Sequence, residues 1–84
     1  MDEYRSLAVF AAVHDAGSFS AAGRRLKLST SVVSHHVSKL EAKVGASLFF
    51  RSTRSLSLTP EGAAILPAAR AMVVAEQDAM DEMA

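Results

Sequence analysis

Apolar positions recur at helical spacing along most of this chain and switch to alternation in one short stretch. Over residues 3–16, Leu7, Phe10, Ala11 and His14 fall at i, i+3, i+4 and i+7, with Tyr4 near the same stripe. Val9, Ala12 and Ala16 form a second apolar strip on roughly the opposite side, a candidate partner surface. Gly17 ends that helix, and Ser18 is placed to cap a short second one over 19–27, with Phe19, Ala22, Gly23 and Leu26 on one face. Small Ala22 and Gly23 predict that another helix crosses closely there. Ser29 caps a third helix over about 30–44, on which Val33, Val37, Leu40 and Val44 make a narrow inward stripe, and Gly45 closes it. A short helix, a turn and a longer helix, at about 19–38, read as a helix-turn-helix.

Residues 46–58 change period. Leu48-Phe49-Phe50 and Ser55-Leu56-Ser57-Leu58 are strand-like runs around Arg51-Ser52-Thr53-Arg54, which predicts a small hairpin with two arginines near its tip. Thr59-Pro60-Glu61 then starts a helix: a capping hydroxyl, a proline in the first turn and an acid near the positive end of the helix dipole. This helix can run to about residue 83, with Pro67 inside it predicting a bend. Ile65, Ala69, Met72, Glu76, Ala79 and Met83 recur at spacings of 4 and 3, a coiled-coil seam that Glu76 interrupts. Met72, Met80 and Met83 suit interface filling. A helix with such a seam calls for a partner helix, and a homodimer through Val9, Ala12, Ile65, Ala69, Met72, Ala79 and Met83 is the expected assembly.

The outer face of the third helix is unusual. Ser31, His35, Ser38 and Ala42 stand opposite the valine–leucine stripe, with Thr30 and Ser34 nearer its edges. A solvated helix face is ordinarily rich in lysine and glutamate, whereas small polar groups suit close approach to another surface. A DNA major groove, about 12 Å wide, admits such a helix.

Charge sharpens that reading. The 84 residues carry a formal net charge of zero, yet residues 24–54 hold Arg24, Arg25, Lys27, Lys39, Lys43, Arg51 and Arg54 against Glu41 alone, a balance of +6. The flanking segments come to −2 and −4. A basic middle between acidic ends implies a polyanion-binding face, with Arg24, Arg51 and Arg54 as candidate phosphate contacts. Cysteine is absent, which excludes disulfide scaffolds, thiolate metal sites and cysteine nucleophiles. No apolar run approaches the roughly 18 residues of a membrane span, and the bland expectation is a soluble intracellular domain. His35 and His36 are neighbours rather than at i and i+4, and His14 lies on an apolar stripe as a core histidine would, so no metal site and no cofactor are expected. Ser34 and His35 diverge on one helix with no orienting acid, so catalysis is not expected either. Two classes remain: sequence-specific duplex DNA binding, and a winged helix used only for protein interaction or dimerisation.

These residues resemble the N-terminal winged helix-turn-helix of LysR-type transcriptional regulators. The resemblance rests on Leu7-x-x-Phe10, GSFSAAGRRL at 17–26, LSTSVVSHHVSKLEAKVG at 28–45, SLFFR at 47–51, Arg54 and LTPEG at 58–62, in matching order and spacing. It implies a mainly α fold of three helices and a hairpin wing over residues 1–59, followed by a linker helix over 60–84. It further implies a bacterial, cytoplasmic, nucleoid-associated protein whose third helix enters the major groove of an operator. Its linker helix would pair with a partner's, giving a homodimer, or a tetramer in the full-length protein. A small-molecule inducer would act only through an effector-binding domain absent from this chain. Members commonly carry glutamine where this chain has Thr30, serine or proline at the next position, matched by Ser31, and arginine or histidine at the position of His35. Threonine shortens a base-reading group, so operator preference does not carry over from relatives.

Overall fold

A computed structural model describes residues 2–51 and 55–84. The elements are α1 (Asp2–Ala16), α2 (Phe19–Leu26), α3 (Thr30–Val44), β1 (Phe49–Arg51), β2 (Leu56–Leu58) and α4 (Pro60–Met83). Three hydroxyl caps start the later helices. Ser18 accepts from the Ala21 N–H at 3.0 Å, Ser29 from Val32 at 3.2 Å and Thr59 from Gly62 at 3.0 Å, each quenching a donor that a helix start leaves without a backbone partner. α2 ends one residue earlier than its pattern predicts. Lys27 enters the left-handed region at φ 59°, and it and Leu28 both direct their N–H groups at the Gly23 carbonyl. Gly23 is thus buried by the turn doubling back over it: a Cβ there would stand 2.7 Å from the Leu28 carbonyl oxygen. A crossing helix is not what demands the glycine.

α1 packs against α2, α3 and α4 together. That placement needs an apolar arc wider than one stripe. Accordingly Ser6, Val9, Phe10, Ala11 and Val13 are all buried, while Leu7 and His14, on the predicted inner stripe, are half-buried. Val33 and Val37 of α3 and Leu48 are fully enclosed with them. The Phe49 ring bridges the layers, 5.2 Å from Phe10 and 6.0 Å, edge-on, from Phe19. The antiparallel strands pair Phe49 with Leu58, Phe50 with Ser57 and Arg51 with Leu56, one residue later than the hydrophobic runs predict at their starts. Phe49 is buried and Phe50 exposed, as the two-residue period of a strand requires.

α4 is fastened where it begins. Thr59 Oγ1 donates to the Ser47 carbonyl at 2.6 Å, and the Thr59 N–H donates to the Leu48 carbonyl at 3.1 Å. Gly62 lies directly against that same carbonyl group. From there α4 is continuous through Pro67. Its first half buries Leu66 and Ala69 in the core, and from Val74 onward every residue is exposed. The projecting half gives the molecule extents of 42 × 25 × 19 Å.

A Cβ at Gly62 would be driven into the Leu48 carbonyl oxygen and would stand 3.0 Å from its carbon, both backbone atoms without freedom to swing aside. Gly62→Ala therefore costs about 2–3 kcal/mol in urea unfolding, the cost of forcing apart a well-packed contact. At the adjacent, exposed position, Ala63→Gly costs only about 1 kcal/mol of helix propensity. A second measurement reads the α1–α4 contact. Tyr4 is the chain's one tyrosine, its hydroxyl is buried, and its pKa is raised from 10.0, by burial first and then by the neighbouring Glu76 carboxylate. A raised pKa means a stabilisation that is complete below pH 10 and lost as pH climbs through the folded-state value. Phenolate absorbance in the folded chain should titrate above the denatured control, and Glu76→Gln should bring it part of the way back.

Candidate nucleic-acid interface

α3 is anchored by Val33, Val37 and Leu40, buried along one side. That orientation turns Thr30, Ser31, His35, Ser38 and Ala42 to solvent, with Ser34 half-buried at the edge. The expected base-reading set thus shares one exposed face. The His35 and His36 rings lie 6.3 Å apart at 60°, and they face different surroundings. His36 is half-buried, and its Nδ1 shares a 3.3 Å hydrogen bond with Ser6 Oγ of α1. This tie was missed from the sequence. Ser6 lies at i−4 from Phe10 and i−7 from Val13, so it shares their buried face, and a buried hydroxyl needs a partner.

The cations are less uniform than their count suggests. Arg24, Arg25 and Lys27 are exposed around the end of α2. Lys43 pairs with Glu3 of α1 at 3.1 Å, and this lysine is the main reason the Glu3 carboxyl lies below its ordinary pKa of 4.5. Arg51, a candidate phosphate contact on the wing, is held by Glu41 of α3 at 3.0 Å and lies over the Phe19 ring at 5.2 Å, with its side chain 46 % exposed. Arg54 lies outside the described residues. Among the described residues, no cluster of His, Asp and Glu is suited to hold a metal ion, and no helix is long and apolar enough to cross a membrane.

The expected dimer seam divides in two. Val9, 3 % exposed, and Ala69, fully buried, are filled by the chain's own core, because α4 packs along α1. They are not open to a partner. Ala12 and Ile65 are partly buried and pack against the same core. Met72 is half-buried, and Ala79 and Met83 are exposed. Val74, at 58 %, Met80 and Met83 are the large apolar side chains that α4 leaves uncovered. Between α1, the end of α2 and α4 runs an open groove of about 500 Å³, floored by Ala8, Ala12, Leu26, Val73 and Val74, with Arg25 and Glu76 at its margin. The Arg70–Asp15 ion pair crosses from α4 to α1 beside it.

Residues 4–63 match the family model of bacterial regulatory helix-turn-helix proteins, lysR family. Over 83 residues the chain is 40% identical to the HTH-type transcriptional activator AaeR of Escherichia coli, covering 99% of this chain and 27% of the activator. It is also 40% identical over 79 residues to the HTH-type transcriptional regulator TfdS of Cupriavidus pinatubonensis, covering 94% of the chain and 27% of that protein. The chain therefore spans about a quarter of the length of these relatives. Among solved structures, oxidised Corynebacterium glutamicum OxyR superposes with a TM-score of 0.91 at 27% identity, covering 96% of this chain and 26% of that one. The DNA-binding domain of CbnR in complex with DNA superposes with a TM-score of 0.82 at 35% identity, covering 95% of this chain and 92% of that domain.

Proposed function

The chain belongs to the lysR family of bacterial regulatory helix-turn-helix proteins, and we propose how this DNA-binding domain meets its operator: the outer face of α3 enters the major groove. The observation that carries this is the exposed set Thr30, Ser31, His35 and Ser38, opposite a stripe locked in the core. Short side chains let the helix backbone approach base edges, and hydroxyl and imidazole groups can donate and accept there. Ser34 at the edge, Arg24 beside the turn, and Arg51 and Arg54 of the wing meet the flanking phosphates, which position the domain without reading sequence. The chain acts by binding, not catalysis, and works in the bacterial cytoplasm as the N-terminal part of a longer regulator.

The second half of α4 supports a homodimer. Ala79, Met80 and Met83 are exposed on a helix that projects beyond its own core, and Met72 sits where the covered and uncovered halves meet. Pairing two such helices would bury this surface and set two α3 helices at a spacing tied to the helical repeat of DNA. Full-length assembly and any inducer belong to the part of the regulator outside this chain.

Selection of bound duplexes from a random pool tests the whole reading, because it returns half-sites and their spacing. Binding should also weaken with salt on a log–log slope near −0.9 per phosphate neutralised; a pure interaction module would show no duplex affinity to measure. His35→Ala should relax preference at one localised position in each half-site, with about 1–3 kcal/mol of discrimination lost. Since His35 is exposed, the variant's melting temperature should stay near the parent value. Unchanged preference at every position would remove His35 from base reading. For assembly, Ala79→Asp places a charge on an exposed seam position of α4 without opening the core. Sedimentation should then show a monomer that retains its helical circular dichroism and binds its selected duplex more weakly.

A further inference from the structure

The one acidic residue between Asp15 and Glu61 stands in the most basic stretch of the chain, at Glu41. A carboxylate there opposes the approach of a polyanion, so its placement calls for a compensating role. Its side chain is only 15 % exposed, and both oxygens are engaged. Oε2 accepts from the Leu48 N–H at 2.8 Å, just ahead of β1, and Oε1 accepts from the Arg51 guanidinium at 3.0 Å. Arg51 is then fixed from a second direction by the Phe19 ring of α2. A guanidinium is planar and carries five N–H donors, so one bond to Glu41 and one aromatic face beneath it define the plane while leaving donors for another acceptor. The Arg51 side chain is 46 % exposed, which leaves that free edge open to solvent.

We propose that Glu41 is a positioning residue for DNA binding: it links α3 to the wing and orients Arg51 so that the open edge of the guanidinium meets a backbone phosphate. The proposal rests on the DNA-binding reading above and extends it to a residue that itself touches no DNA. Three elements converge on this arginine: α3 through Glu41, α2 through Phe19 and β2 through the strand partner Leu56. Orientation is gained at the expense of net charge, since Glu41 cancels one cation near the docking face.

That trade makes the test a matter of sign. Glu41→Gln adds one positive charge to the basic face, and electrostatics alone then predicts tighter binding and a steeper salt slope. Positioning predicts the reverse: affinity for both a selected and a mixed-sequence duplex falls roughly fivefold, and the slope becomes shallower as the phosphate contact is lost. Glutamine keeps an oxygen for the Leu48 N–H, and melting of each variant is followed by circular dichroism. Arg51→Lys is the companion variant. It keeps the charge and leaves the Glu41–Leu48 bond in place, so it carries the test even where Glu41→Gln unfolds. Loss of affinity at unchanged charge supports the proposal, whereas affinity and slope equal to the parent's overturn it. Tighter binding by folded Glu41→Gln overturns it as well, leaving the DNA-binding reading intact. A parent chain with no salt-dependent duplex affinity would instead overturn that reading and the proposal with it.

Discussion

Leu48 holds three elements together. Its N–H is bound by Glu41 of α3 at 2.8 Å, its carbonyl receives the Thr59 N–H at 3.1 Å, Gly62 of α4 lies against that carbonyl, and its side chain is fully buried. The Thr59 bond is worth about 1 kcal/mol net and the bond to the Glu41 carboxylate about 1.5–3 kcal/mol, and leaving either buried group unpaired is costly in itself. Because the bonds converge on one residue, the end of α3, the base of the wing and the start of α4 cannot reorient independently. The LTPEG stretch follows from this constraint. Threonine bonds the Ser47 carbonyl and caps the helix, proline suits the first helical turn, and glycine supplies the missing Cβ where backbone meets backbone.

The same junction divides α4 by task. Beside it, Gly62, Leu66 and Ala69 complete the core, and Ile65 packs at its margin. Beyond Val73 the helix leaves the body with Val74, Met80 and Met83 uncovered. The near half of the seam thus faces its own chain, while its far half, at Ala79 and Met83, is exposed. The Arg70–Asp15 pair lies between the two regimes, though as an exposed pair it contributes little to stability by itself.

What could be read from the sequence was local. Ser18, Ser29 and Thr59 announce helix starts through their own neighbours, and Val33, Val37 and Leu40 define an inward stripe by spacing alone. The exposed face of α3 follows from that stripe by geometry. The rest depended on contacts across the chain. Val9 and Ala69 lie on apolar strips that suit a partner helix equally well, and only the packing of α4 along α1 shows that they are used internally. Gly23 looks like a helix crossing point until the turn is seen folding over it. Glu41 and Arg51 are ten residues apart, and nothing in their spacing reveals that a helix and a strand bring them together.

Charge counting fails for the same reason, and its failure bears on how the domain can discriminate among duplexes. The balance of +6 already subtracts Glu41, which holds Arg51, but it leaves out Glu3, toward which Lys43 is turned, so composition overstates the field at the proposed docking face. The centre of that face, from Thr30 to Ser38, carries short uncharged side chains and His35, while Arg24, Arg25 and Lys27 lie off α3 near the preceding turn. Strong charge at the centre would reward any phosphate it touched and raise affinity for every duplex alike. In the proposed docking, cations at the rim, one of them tethered, would restrain that indiscriminate part of the binding energy. A larger share of affinity would then depend on how well small hydroxyls and one imidazole match the base edges, which differ from site to site.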